Sequence, residues 1–463
     1  MTPVGSRSRS SLALRISLFA CLVVQAAALI SGCGSSAVAT KVTSVSVSCS
    51  PASVTRGETS TCTATVSGTG NYSSSVTWSV RDGSLSGSGD TVAFIPYGPG
   101  SAIVTATSAA DGTESGSATV AVSGPFLTTA NLQSIVWIGD SYAEQGLITN
   151  PLTAALQQQY GDGGDGWINL YYLTRVLYLK DVALTTNGTW IAENNTLTAK
   201  GVGLSDVSTL DVATPASLFV TVAAESASLD YFMQPGGGSF HWSVDGGTPL
   251  SIDTNSSAPS SETSTFSGLS PGAHTFQIEA DAAGTSGITL DGMDVRTNAT
   301  GTVVHNLGSA GATSAGWIAI DPSIWEPQFA ALQPTLVVIM LSPNDQAANF
   351  TTTEQAANLT ELIGRIRAVT PTVPIILAPP PENGVLQTPS MAAYNASQAT
   401  LAQTLGVGYI DVFDQMGPFD PAYFDADKMH PNAKGGNLIA GIVLDGIESY
   451  LSQGSGSSAS KAR

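Results

Sequence analysis

Three short apolar runs frame this chain. Ser134–Ile138, Leu336–Leu341 and Pro374–Ala378 carry no charged residue and give way to Gly139, Ser342-Pro343 and Pro379. A strand with one wet face shows polar residues at alternate positions. A short run without that alternation reads as buried on both faces, as in a parallel sheet covered by helices. Gly408–Val412 is another short run, broken by Asp411. Helical patterns lie between them. Thr351 and Glu354 are spaced as a capping box, and Leu359, Leu362, Ile363 and Ile366 recur at i, i+3, i+4 and i+7. Ile439, Ile442, Val443, Ile447 and Tyr450 give a last helix its apolar face. Strands alternating with helices predict an α/β domain with a doubly wound parallel sheet.

That rhythm stops for more than a hundred residues. After a glycine-rich stretch, Gly161–Trp167, the pattern becomes β-like at Leu218–Val222, Phe240–Val244, His274–Glu279 and Ile288–Val295. Asp245-Gly-Gly and Ser270-Pro-Gly supply turns between them. A β-sandwich over 178–301 is therefore expected to split the α/β domain into 126–177 and 302–452. A third unit precedes it. Strand patterns at Val42–Ser48, Thr61–Val66, Val76–Val80, Val92–Ile95, Ile103–Thr107 and Ala118–Val122 predict a β-sandwich over 41–123, with Trp78 in its core. It resembles a bacterial immunoglobulin-like domain. Residues 453–463 read as a disordered tail.

The first 32 residues read as an export signal. Arg7, Arg9 and Arg15 lead into the apolar run Ile16–Ile30, too short for a comfortable membrane span. Ile30-Ser-Gly-Cys33 resembles a bacterial lipobox, which implies lipid on Cys33 and a tether over 33–40. Lipid on Cys33 would then be the membrane attachment, in the periplasm, at the outer membrane or on the cell surface. Loss of three arginines would take the net charge from −19 to −22. With no basic face to offer a duplex, nucleic acid is excluded as a partner. Cys21 falls in the signal and Cys33 carries lipid, leaving Cys49 and Cys62 as a disulfide pair in an oxidising compartment. No metal site is expected around them, since no histidine is near.

Four short motifs fall at the ends of the α/β elements, three of them after strands, where an α/β sheet places ligands, and one before the last helix. They are Gly139-Asp-Ser141, Gly311 within Gly308–Thr313, Asn344-Asp345, and Asp427-Lys-Met-His430. Gly-Asp-Ser alone is weak in a chain with 48 glycines, and Asn-Asp is an everyday turn. Asp-x-x-His says more, because there are four histidines and one has Asp three residues before it. In this order the set resembles the SGNH (GDSL-type) serine hydrolases, over about 126–175 and 302–452. The resemblance implies a flavodoxin-like fold and a catalytic triad of Ser141, Asp427 and His430. It also implies an oxyanion hole from the Ser141 and Gly311 N–H groups and the Asn344 amide, with no cofactor. The chemistry is consistent: a serine hydroxyl needs an imidazole to take its proton, and the imidazole needs a carboxylate to orient it. The family's third block usually reads Gly-x-Asn-Asp, whereas here it is Ser342-Pro-Asn-Asp345.

The expected function is an exported, lipid-anchored serine esterase removing O-acyl groups, above all O-acetyl, from a carbohydrate. An O-acyltransferase with the same triad stays open, as does a non-catalytic surface glycan-binding protein or adhesin. His241 and His274 read as structural, and His305 as either a cleft or a core residue. Asp162 and Asp165 are too few carboxylates for a calcium loop. The 178–301 insert resembles a carbohydrate-binding module, where Trp190 and Trp242 read either as sugar platforms or as core.

Overall fold

The computed structural model describes residues 40–452, apart from 56, 57, 82, 97–99, 125, 171–181, 194–202, 206, 211–214, 298, 299 and 386. The expected signal, Cys33 and the 453–463 tail lie outside the described residues.

The apolar runs form one five-stranded sheet, every pair parallel. Its order is Val303–Asn306, Ser134–Gly139, Leu336–Met340, Ile375–Leu377, Gly408–Tyr409. Counted along the chain this is 2-1-3-4-5, the flavodoxin-like order, whose switch point lies between the first and third strands. Alternate side chains feed two cores. Ile135, Trp137, Val338 and Ile376 pack under the Thr149–Tyr160 and Ala433–Ser452 helices. Val136, Ile138, Val337, Ile339 and Leu377 pack under the Thr352–Val369 and Met391–Leu405 helices. Both faces are covered, which explains the unbroken apolar pattern. Thr351 and Glu354 bond reciprocally at the start of their helix, as the spacing predicts.

Residues 41–123 form two four-stranded sheets around Val54, Cys62, Phe94, Val104 and Val120. Cys49 and Cys62 stand directly opposite on antiparallel strands and are disulfide-bonded. Trp78 is half-buried against this cluster, and its Nε1 donates to the Gly89 carbonyl at 2.9 Å. Between 183 and 296, five strands of a six-stranded sheet and all of a five-stranded sheet enclose a separate core that includes Trp242 and Phe276. Trp242 is fully buried there, its Nε1 bonded to Ser264 Oγ, so it offers no exposed sugar platform. Trp190 packs partly buried against the same core.

The six-stranded sheet also takes Gly166–Asn169, a strand upstream of residue 178, paired with Ile288–Arg296. Its alternating side chains serve two cores. Trp167 enters the α/β core while Ile168 enters the β core. The glycine-rich run stitches the outgoing and returning chains together. Gly163 N donates to Thr302 O at 3.0 Å, and Thr297 N donates to Gly163 O at 3.0 Å. A side chain at Gly163 would collide with the Gly301 backbone, so the close passage requires glycine. Asp162 and Asp165 flank this seam, and among the described residues no group of three His, Cys, Asp or Glu side chains is placed to hold a metal.

His305 is fully buried on the same seam and does not line a cleft. Arg296 donates to its Nε2 at 3.0 Å, and Ser134 Oγ lies 3.1 Å from the same atom. Burial and the Arg296 charge push its pKa well down, so it is neutral, with the proton on Nδ1 in this network. His241 is held between Asp281 and Glu279, each at 2.8 Å, and His274 between Asp245 and the Ser270 carbonyl. All three histidines bridge elements of the fold.

Candidate active site

Ser141 sits two residues past the end of the Ser134–Gly139 strand, as the first residue of the one-turn helix Ser141–Glu144. At that position its backbone N–H has no partner inside the helix. Asp140 caps the turn, accepting the Tyr142 N–H on Oδ1 at 3.0 Å. Burial pushes the Asp140 carboxyl up to about 7. The Tyr142 N–H pulls it down, and the Asp345 and Glu144 carboxyls push it up again. Its Oδ2 is buried without a hydrogen-bond partner, which suits a protonated acid better than a carboxylate.

Ser141 Oγ lies 2.8 Å from His430 Nε2, and His430 Nδ1 lies 2.6 Å from Asp427 Oδ2. The other carboxylate oxygen accepts the backbone N–H groups of Met429 and His430 at 2.9 and 3.0 Å. Lys428, between the pair, has φ +63°, the left-handed conformation that folds the Asp427–His430 turn back on itself. Burial raises the Asp427 pKa, but the hydrogen bonds from the His430 ring and the two backbone N–H groups outweigh it. The net pKa lies below the ordinary 3.8. An ionised Asp427 accepts from Nδ1–H, so Nε2 presents a lone pair to the serine hydroxyl.

The other two blocks are tied to this one by backbone contacts. Ser309 N donates to Gly139 O at 3.3 Å, and Gly308 lies so close to the Ser141–Glu144 helix that a Cβ would meet Glu144 N at 2.2 Å. Gly311 follows in the Ser309–Ala312 turn with φ +76°, a conformation that favours glycine. Asn344 Nδ2 donates to Ala312 O at 3.1 Å, which leaves its second N–H outside that bond. Asp345 is buried and accepts from Ser314 N and Gln355 Nε2 at 2.8 and 2.7 Å, pinning the third block to the second. Ser342 stands where the family pattern has glycine, with φ 171°. That is extended backbone open to any residue, and Pro343 then starts the short helix carrying Asn344.

Two further residues bind these blocks and are absent from the motifs. The Tyr142 hydroxyl donates to the Met429 carbonyl. Burial, with the Asp140, Asp427 and Glu382 charges, pushes its pKa well above 10, so it stays a donor. Asn306 Nδ2 donates to Ala143 O at 2.7 Å and to Thr149 Oγ1 at 3.0 Å, while its Oδ1 accepts Gly308 N at 2.9 Å.

Residues 286–438 match the model of the GDSL-like Lipase/Acylhydrolase family. Over that stretch the chain is similar to the GDSL-like hydrolases. The matched stretch holds Gly311, Asn344, Asp427 and His430, and Ser141 joins them from outside it, across the intervening β-sheets. Among solved structures, one described as a peptidoglycan O-acetylesterase in action is 18% identical, with a TM-score of 0.58. The similarity covers 70% of this chain and 93% of that one. A family two carbohydrate esterase from Clostridium thermocellum, in complex with cellohexaose, is 16% identical over 58% of this chain and 99% of that one, with a TM-score of 0.28. The salicylyl-acyltransferase SsfX3, from a tetracycline biosynthetic pathway, is 14% identical over 57% and 94%, with a TM-score of 0.29. Of these three, the likeness to the peptidoglycan O-acetylesterase extends to the overall fold. No curated protein matches the chain.

Proposed function

We propose that the GDSL-like domain is a serine esterase that removes acyl groups, above all acetyl, from a carbohydrate. The observation that carries this reading is the continuous chain from Ser141 Oγ through His430 to Asp427, at 2.8 and 2.6 Å, at the switch point of the sheet. A purely adhesive scaffold has no use for that register. In the proposed cycle, Ser141 Oγ attacks the ester carbonyl carbon as its proton passes to His430 Nε2. Asp427 stabilises the imidazolium. The oxyanion faces the N–H groups of Ser141 and Gly311 and the free N–H of Asn344. Collapse breaks the carbonyl–oxygen bond to the sugar, and His430 returns the proton to the leaving sugar oxygen. Water, deprotonated by the same imidazole, then releases the acid and restores Ser141.

The carbohydrate substrate is supported by the solved structure of like fold that is described as a peptidoglycan O-acetylesterase. Export and lipid attachment through Cys33 belong to the same proposal, since an extracellular polymer must be met outside the cell. Ser141→Ala tests the chemistry. It should abolish acetate release from p-nitrophenyl acetate while leaving the circular dichroism spectrum unchanged. Retained activity in that variant sinks the mechanism.

A further inference from the structure

We propose that the groove between the Thr149–Tyr160 helix and the glycine-rich segment 161–166 binds a neutral stretch of the sugar chain that carries the ester. The inference rests on the esterase reading and adds to it a class of glycan. The groove encloses about 400 Å³, within the range of small-molecule sites. One wall is the helix face bearing Asn150, Thr153 and Gln157, residues three and four apart and therefore on one side. Val304 contributes an apolar patch, and Asp162 and Asp165 form the facing wall.

The lining chemistry selects the ligand. Amides, hydroxyls and carboxylates are there, and no lysine, arginine or histidine is. A phosphate, sulfate or uronate would find no countercharge and would meet two carboxylates. A sugar hydroxyl both donates and accepts, and this set of groups answers both needs. The walls are also fixed in advance, which lowers the entropic cost of binding. Gln157 Nε2 is held by the carbonyls of Gly164 and Thr302 at 2.9 and 3.1 Å, which turns its Oε1 into a fixed acceptor. Asp162 Oδ1 is held by the Gly164 N–H at 2.9 Å.

The groove is joined to the nucleophile. Thr149, at its end, shares the Asn306 amide with Ala143, two residues past Ser141. A sugar seated here lies beside the helix that presents the serine. None of Ser141, Asp427 and His430 lines the groove, so the acetylated residue at the triad and the residue in the groove are separate units of one sugar chain. Neutral acetylated glycans such as xylan are thereby favoured over pectin and sialosides.

The test is to fill the groove with Thr153→Trp and, on the exposed side of the same helix, Ala154→Trp. Two substrates are compared, an acetylated xylo-oligosaccharide and p-nitrophenyl acetate. Both variants should lose about tenfold or more in kcat/KM on the oligosaccharide through KM, with p-nitrophenyl acetate unchanged. Equal losses on both substrates, or none on the oligosaccharide, overturn the assignment. Calorimetric binding of deacetylated xylo-oligosaccharide to Ser141→Ala separates this from the esterase reading. That binding should vanish on adding Thr153→Trp even if the parent protein hydrolyses nothing. Equally tight binding of an oligogalacturonate would overturn the preference for neutral chains.

Discussion

The Tyr142 hydroxyl donates to the carbonyl of Met429, joining the residue after Ser141 to the residue before His430 across 287 positions of sequence. The tie runs beside the Ser141–His430 bond, and the Tyr142 and His430 rings are 6.0 Å apart. A one-turn helix cannot hold its own geometry, because so short a helix is barely past nucleation. Tyr142 therefore acts as a positioning residue. Tyr142→Phe removes one oxygen and leaves the buried ring. We expect kcat to fall about tenfold or more with KM unchanged. In a His430→Ala background the same change should have no further effect. Additive losses in the double variant would assign Tyr142 a role independent of the imidazole.

Asp427 is predicted to stay ionised throughout the working range, since its pKa is depressed. Asp427→Asn keeps the shape but presents an amide where His430 needs an acceptor. Steady-state kinetics should show kcat lower by about a hundredfold or more, without recovery at higher pH. The linkage has a definite sign. A carboxyl with a lowered folded pKa contributes stability above its unfolded value, and that contribution disappears as pH falls through the folded one. Acid unfolding of Asp427→Asn should accordingly be less steep below about pH 4 than that of the parent protein.

How much of this was legible beforehand depends on range along the chain. Asp427 and His430 are three residues apart, and their bonds form within one turn, so the pattern alone could announce them. The strands were legible because burial on both faces leaves an unbroken apolar run. Tyr142–Met429 and the Asn306 bonds were not, because each ends on a backbone carbonyl that no residue type marks. The strand Gly166–Asn169 was also hidden. It divides Trp167 and Ile168 between two cores, so both neighbours are apolar and no alternation shows. His305 could be read as cleft or core until Arg296 and Ser134 were seen on either side of its Nε2.

Asn344 anchors the third block with one N–H on Ala312 O and has a second to offer an oxyanion. Asn344→Ala should lower kcat about a hundredfold, the loss of one oxyanion donor at about 3 kcal/mol, with KM little changed. Melting temperature supplies the control. A large drop in stability together with the lost activity would mean that the Ala312 bond, rather than a donor to the oxyanion, is what Asn344 provides.

Three buried carboxyls predict how stability responds to pH. Burial, the largest cause in each case, pushes Asp140 and Asp230 up to about 7 and Asp291 up to about 6. Unfolded aspartates titrate near 3.9, so between those values the folded protein holds more protons than the unfolded chain. Stability must then fall as pH rises from about 4 to about 7 at these sites. Asp230 accepts from Thr263 Oγ1 at 2.7 Å through Oδ1, an atom that asparagine retains. Asp230→Asn should therefore raise the melting temperature at pH 8 by about 2 °C or more and leave it nearly unchanged at pH 4. Calorimetry at the two pH values reads the difference. A variant that melts lower at pH 8 would mean that Asp230 is buried as a stabilised anion, and that the burial cost assigned to it is wrong.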